Sequence, residues 1–138
     1  MPTLPDCFYR ISVKALILDD QKRFLLMQEE DGRWELPGGG LDFGETVEEA
    51  IQRELWEEMR IKTTFIAKDP SYFFTFFGKS DNCWKASVVY GVQLEHLQFT
   101  SPSECQNIGF FDKEEAEKLP IKKHVRKFIE QFDPEKHP

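Results

Sequence analysis

The sequence predicts a mixed α/β fold on three observations: strand-length apolar runs recur between turn clusters, a strongly signalled helix interrupts them after Thr46, and two shorter helical signals close the chain. Ile11 to Leu18 and Phe24 to Gln28 read as strands, and the polar turn Asp19-Asp20-Gln21-Lys22 between them suggests a hairpin. Thr46, with Glu49 three residues later, is a capping box in which hydroxyl and carboxylate each satisfy an orphan amide, placing a helix from Val47 to about Met59. Lys62 to Lys68, Tyr72 to Phe77 and Trp84 to Leu94 read as further strands, the last two joined by a hairpin turn over Gly78-Lys79-Ser80-Asp81-Asn82. Asp112 with Glu115 makes a second capping box for a short helix, which Pro120 ends. Ile121 to about Phe132 then has the spacing of a terminal amphipathic helix.

Composition bounds the function. A chain of 138 residues, 40% hydrophobic and 14% aromatic, without repeats or a linker, fits one domain over residues 1–138. A net charge of −7 argues against a nucleic-acid polymer or an anionic membrane as partner, whereas a small phosphorylated ligand binds wherever a local metal reverses the sign. Cys7, Cys83 and Cys105 are odd in number, widely spaced and lack a C-x-x-C pair, which predicts free thiols in a reducing compartment. His96, His124 and His137 show no ligand spacing and read as surface residues. With neither a signal-like start nor a run long enough to cross a bilayer, the expected location is cytoplasmic.

The helix after Thr46 carries the chemistry. At about 100° per residue, Glu54, Glu57 and Glu58 share one sector, and that sector overlaps the apolar stripe of Val47, Ala50 and Ile51. A solvated acidic face lies opposite the apolar stripe, so three carboxylates on a partly inward side call for positive charge to offset their repulsion. Converging hard oxygens suit Mg²⁺ or Mn²⁺, which also take phosphate oxygens. Read alone, E-x-x-E-E is ordinarily a soluble helix face; the glycine-rich turn upstream changes that reading.

Gly39, five residues, Glu45, seven residues, Arg53-Glu54, apolar Leu55, one residue, Glu57-Glu58, one residue, Arg60 and apolar Ile61 closely resemble the box of the Nudix hydrolases. Trp34-Glu35-Leu36-Pro37-Gly38 resembles the family's lead-in. Arg60 replaces the family's glycine; a left-handed residue there costs on the order of 1 kcal/mol without glycine or diverts the chain into the next strand. The resemblance implies an α/β/α sandwich with a mixed β-sheet. It also implies metal held by Glu54, Glu57, Glu58 and the Gly38 carbonyl, and a catalytic set of those glutamates with Arg53. Glu45 becomes an interior partner that orients the box, and Arg53 the partner of a box glutamate.

Pro37 stiffens the glycine turn, and Gly38-Gly39-Gly40 allows backbone to approach metal and phosphate; Gly39, Gly40 and Trp34 are the expected substrate contacts. Arg10, Arg33 and Lys85 are candidate contacts to a base or terminal phosphate. Glu104 precedes the aromatic stretch Gly109-Phe110-Phe111-Asp112, where some family members place an extra metal ligand or general base; a plain loop glutamate is the alternative. The run Tyr72-Phe73-Phe74-Thr75-Phe76-Phe77 invites base stacking, but alternation favours core for half of it. The resemblance thus implies a metal-dependent hydrolase of a nucleoside diphosphate linked to another moiety, acting on a small nucleotide, with homodimerisation left open. A catalytically weak or inactive nucleotide- or protein-binding module is the alternative. A fold-sharing isomerase of isopentenyl diphosphate would need a larger chain.

Overall fold

The computed structural model describes residues 6, 8–99 and 107–137. Strands β1 (Tyr9–Leu16), β2 (Phe24–Gln28), β3 (Trp34–Glu35) and β4 (Gly38–Gly40) precede helix α1 (Val47–Met59). Then come β5 (Thr63–Ile66), β6 (Tyr72–Gly78), β7 (Cys83–Leu94), β8 (Asn107–Phe111), α2 (Lys113–Glu117) and α3 (Lys123–Gln131). Both capping boxes form, at Thr46/Glu49 and Asp112/Glu115.

The strands build two sheets where one was expected. One runs β4-β1-β7-β5 with β6 also on β7, and the other runs β3-β2-β8. The first is mixed, because β1 pairs parallel to β7 from Tyr9↔Trp84 to Leu16↔Gly91 while its other neighbours are antiparallel. The hairpin expected between Ile11–Leu18 and Phe24–Gln28 does not form as a strand pair. Its turn closes through a Leu18↔Phe24 bridge, after which β1 and β2 enter different sheets. The hairpin over Gly78 to Asn82 does form, with Gly78 opposite Cys83.

Why β1 and β2 read as continuous apolar runs follows from the layering. Val13, Ala15, Ile17, Leu25 and Met27 pack with Ala50, Ile51, Leu55 and Met59 of α1. The alternate residues Leu16, Phe24 and Leu26 pack with Val125, Phe128 and Ile129 of α3. Each face therefore meets its own helix, the arrangement of an α/β/α sandwich. Each fully buried Leu, Ile or Phe contributes about 1.5–3 kcal/mol, so these two interfaces hold the sheets between the helices. Tyr72 and Phe74 of the aromatic run are core, whereas Phe73 and Phe77 are exposed, as strand alternation predicts. Among the described residues, no helix is long and apolar enough to cross a membrane.

Candidate functional site

The site forms where β4 runs antiparallel to β1 beside α1. Gly38, expected to serve a ligand's approach, is required by the protein's own packing: at φ +123 its missing Cβ would lie 2.2 Å from the Val13 carbonyl oxygen. Gly39 leaves room for Glu54 in the same way, since a Cβ there would stand 2.6 Å from that carboxylate. The glycine turn is thus a short strand whose bareness lets α1 lean onto it.

Arg53 organises the acids. Its Nε and Nη2 donate to the two carboxylate oxygens of Glu45 at 2.7 and 3.0 Å, a bidentate grip, and Nη2 also donates to the Gly40 carbonyl at 3.2 Å. Nη1 donates to Glu54 at 2.8 Å and lies 3.6 Å from Glu57. Glu54 and Glu57 thereby converge on one cationic nitrogen. The Arg53 hydrogen bond, followed by the Asp42 amide, holds the Glu45 carboxyl below its usual range, and the same contact raises Arg53 further above its own.

Glu58 is set apart by burial. It is 9% exposed and accepts from the Gly38 amide at 3.0 Å. Desolvation pushes its carboxyl up to about 8, with Glu54 and Glu35 adding repulsion, against the pull of Lys14 and the Gly38 amide. Lys14, 7% exposed on β1, points its Nζ at the Gly38 carbonyl at 3.4 Å and at Glu35 at 3.8 Å. Glu35 also accepts from its neighbour's amide, Leu36 N–H, at 2.9 Å, and from His124, which stacks on Phe76 at 4.2 Å. Burial pushes Glu35 up, but Lys14 and the His124 hydrogen bond outweigh it and hold the carboxyl at about 2.

The structure brings Gly38, Gly39, Arg53, Glu54, Glu57 and Glu58 together, and Arg10 joins them with its guanidinium against Gly40. Trp34, expected to contact substrate, packs edge-on against Phe111, is bridged to Ile121 and lies against the core that α3 covers. Glu104 falls outside the described residues, as do Cys7 and Cys105; Cys83 is a buried free thiol. Two histidines read as surface residues are half-buried and bonded, His124 to Glu35 and His137 to Tyr72. Lys14 escaped the sequence reading, and Glu35 entered it only as part of the lead-in to the glycine turn. Their signals are a lysine inside the apolar run Val13 to Ile17 and a glutamate between Trp34 and Leu36.

Arg60 is left-handed, at φ 57 and ψ 38, and its amide donates to the Trp56 carbonyl at 2.9 Å. Its guanidinium lies over the Trp56 ring, 5.7 Å from the centroid, which offsets part of the strain. The following strand pairs with β7 from Thr63, with a bulge before Phe65.

The donor chemistry fits a hard divalent cation. Two carboxylates already converge on a positive nitrogen, and the Gly38 carbonyl already faces an ammonium. As the side chains stand, no three His, Cys, Asp or Glu among the described residues enclose an ion, since Glu54 is turned to Arg53 and Glu58 to an amide.

The sandwich, with its glycine strand against a helix of clustered glutamates, defines the Nudix class of α/β fold. A family model described as the NUDIX domain matches residues 8–132, and the chain belongs to that family. It is 40% identical to a MutT-like protein of Streptomyces ambofaciens over 55 residues, 39% of this chain and 36% of that protein. It is 29% identical to an RNA pyrophosphohydrolase of Wolbachia sp. subsp. Brugia malayi over 90% of this chain and 89% of that protein. The chain spans about two fifths of the length of the Streptomyces relative and of an RNA pyrophosphohydrolase from Ruthia magnifica. Among solved structures, the MutT protein of Methanosarcina mazei Go1 superposes with a TM-score of 0.80 at 25% identity, covering 98% of this chain and 100% of that one.

Proposed function

We propose that this protein is a metal-dependent pyrophosphohydrolase that cleaves the diphosphate linkage of a nucleoside diphosphate joined to another moiety. The observation that carries the reading is the meeting of Gly38-Gly39 with Glu54, Glu57 and Glu58 around Arg53 and Lys14. Glu54, Glu57, Glu58 and the Gly38 carbonyl would hold Mg²⁺ or Mn²⁺, which supplies charge neutralisation of the diphosphate and a more acidic water. Arg53 fixes the rotamers of Glu45 and Glu54 against β4. Lys14 holds the Gly38 carbonyl in place and neutralises Glu35 behind it. Glu57 or Glu58 accepts the proton of the attacking water, Glu58 being the carboxyl whose affinity for a proton burial raises.

A substrate panel tests this: nucleoside triphosphates, oxidised dGTP, ADP-ribose, NADH and dinucleoside polyphosphates, with Mg²⁺ and with Mn²⁺, followed by product identification. Cleavage of at least one diphosphate linkage, abolished by EDTA, is expected. Absence of turnover across the panel with both metals would overturn the reading.

A further inference from the structure

The face of the first sheet on which α1 packs extends past the helix. Across β1, β7 and β6 its residues stand in three rows: Tyr9, Trp84 and Phe77; Ile11, Ala86 and Thr75; Val13, Val88 and Phe73. Of these, α1 packs on Val13. Tyr9, Ile11, Phe73, Phe77 and Trp84 remain open, and they are five of the ten large hydrophobic side chains exposed among the described residues. The Trp84 ring meets Tyr9 at 6.1 Å between centroids and Phe77 at 5.8 Å, so the rings form one surface. None of the nine residues in the rows is charged. Single exposed apolar residues are ordinary, whereas a contiguous patch marks a contact.

Charge, edge and area choose the partner. An anionic lipid surface repels a chain of net charge −7, and two copies of that chain approach with least repulsion through a face that carries no charge. Strand addition at the outer edge of β6 is closed, because Lys127 and Gln131 of α3 donate to the Thr75 and Phe73 carbonyls there. A partner therefore meets the face, sheet upon sheet. The four aromatics each leave about half their surface in water, and an aromatic buries about 150–250 Å², so with Ile11 the face offers on the order of 500 Å² per copy. Two such faces bury about 1,000 Å², the size at which a contact becomes specific. The rings stand beside a low floor at Ala86 and Thr75, so the rings of one copy can rest on the floor of another. We propose that two copies of this chain associate through this face about a two-fold axis. Lys14 projects from the opposite face of β1, so the contact leaves the candidate site open, and the proposal stands apart from the function proposed above.

Sedimentation velocity of the whole chain from about 1 to 200 µM should show monomer passing to dimer with a midpoint of roughly tens of micromolar. Because like charges oppose this association, raising NaCl from about 50 to 300 mM should tighten it severalfold. Ile11→Lys/Phe73→Lys reduces the overall negative charge and still should abolish the dimer, with the melting temperature of the monomer unchanged. Phe65→Lys, an exposed ring where β5 meets the far end of β7, should leave the dimer intact. In the parent protein, rising concentration should move the Tyr9 amide and the Trp84 indole N–H signals and leave those of Lys14 and Glu58 in place. If the double variant loses its fold, these shifts decide by themselves. A monomer at the highest concentration, a dimer that weakens with salt or survives the double variant, or signals that move at Glu58 instead of Trp84 would each overturn the proposal. Binding of a monomeric parent protein to phosphatidylcholine vesicles, lost in the variant, would also overturn it and give the face to a lipid surface.

Discussion

Glu35 and Glu58 are buried alike, at 6% and 9% exposure, and Lys14 acts on both, yet one is held at about 2 and the other at about 8. Glu35 adds His124 and the Leu36 amide to Lys14, enough to outweigh its desolvation. Glu58 has one amide and two nearby carboxylates, and burial prevails. Charge at a buried carboxyl is decided by how many donors surround it. The difference marks which of the two still has room for a cation.

Removing the shared partner is the hardest way to break this contrast. Lys14→Met should cost about 3–5 kcal/mol at neutral pH, because Glu35 keeps only His124 and the Leu36 amide and Glu58 loses the Lys14 charge. Protonation relieves both carboxyls, so urea midpoints should show a larger loss at pH 8 than at pH 5; equal losses would separate Lys14 from the pair. The same substitution at the two glutamates should then act with opposite signs. Glu35→Gln is expected to destabilise by a few kcal/mol, whereas Glu58→Gln, in EDTA at pH 8, should leave stability unchanged or higher while lowering kcat at least about a hundredfold with Mg²⁺. Matching stability losses in both variants would remove the distinction.

A pH series sharpens it further. Glu35 titrates in the folded protein at about 2, below the ordinary 4.5, so its stabilisation is complete above 4.5 and is lost as the pH falls toward 2. Glu58 titrates at about 8, so the folded protein keeps a proton that the unfolded chain releases, and stability falls as the pH rises from 4.5 through 8. Melting temperatures in EDTA should decline on both limbs, and millimolar Mg²⁺ should lift the alkaline limb more than the acid one. A uniform lift would place the responsible ions away from Glu58.

The smallest effect belongs to Arg60. Arg60→Gly relieves about 1 kcal/mol of left-handed strain and loses about 0.5–1 kcal/mol of attraction to Trp56, so its denaturant midpoint should move by less than the equivalent of about 1 kcal/mol. Trp56→Ala leaves the strain without its compensation and should be the more costly change. The reverse order would show that the ring contact contributes nothing.

The sequence disclosed α1 from its Thr46 cap to about Met59, since a capping box and helical spacing are local signals that survive folding. It disclosed the glutamates and Arg53 for the same reason: all lie within one stretch of helix. Lys14, Glu35 and His124 were not legible as a set because β1, β3 and α3 meet only through tertiary packing. Both flanks of the Asp19 to Lys22 turn have the composition of strands, and nothing local says that they enter different sheets. Glycine in β4 pointed toward a ligand and is required first by Val13 and Glu54, a demand that appears only once β1 and α1 are in place.

The parallel pairing of β1 with β7 also has a consequence during synthesis. Tyr9 meets Trp84, so β1, made before β2 to β6, waits for a strand made after all of them. Until then β1 has only the three residues of β4 to pair with, and its apolar side chains are turned to both sides. A ribosome stalled between β6 and β7 would hold a nascent chain whose most adhesive segment is uncovered, and pairing over so long a separation is intrinsically slow. Lys14 interrupts that segment near its middle, so the charge that orders the finished site also guards the unfinished one against self-association.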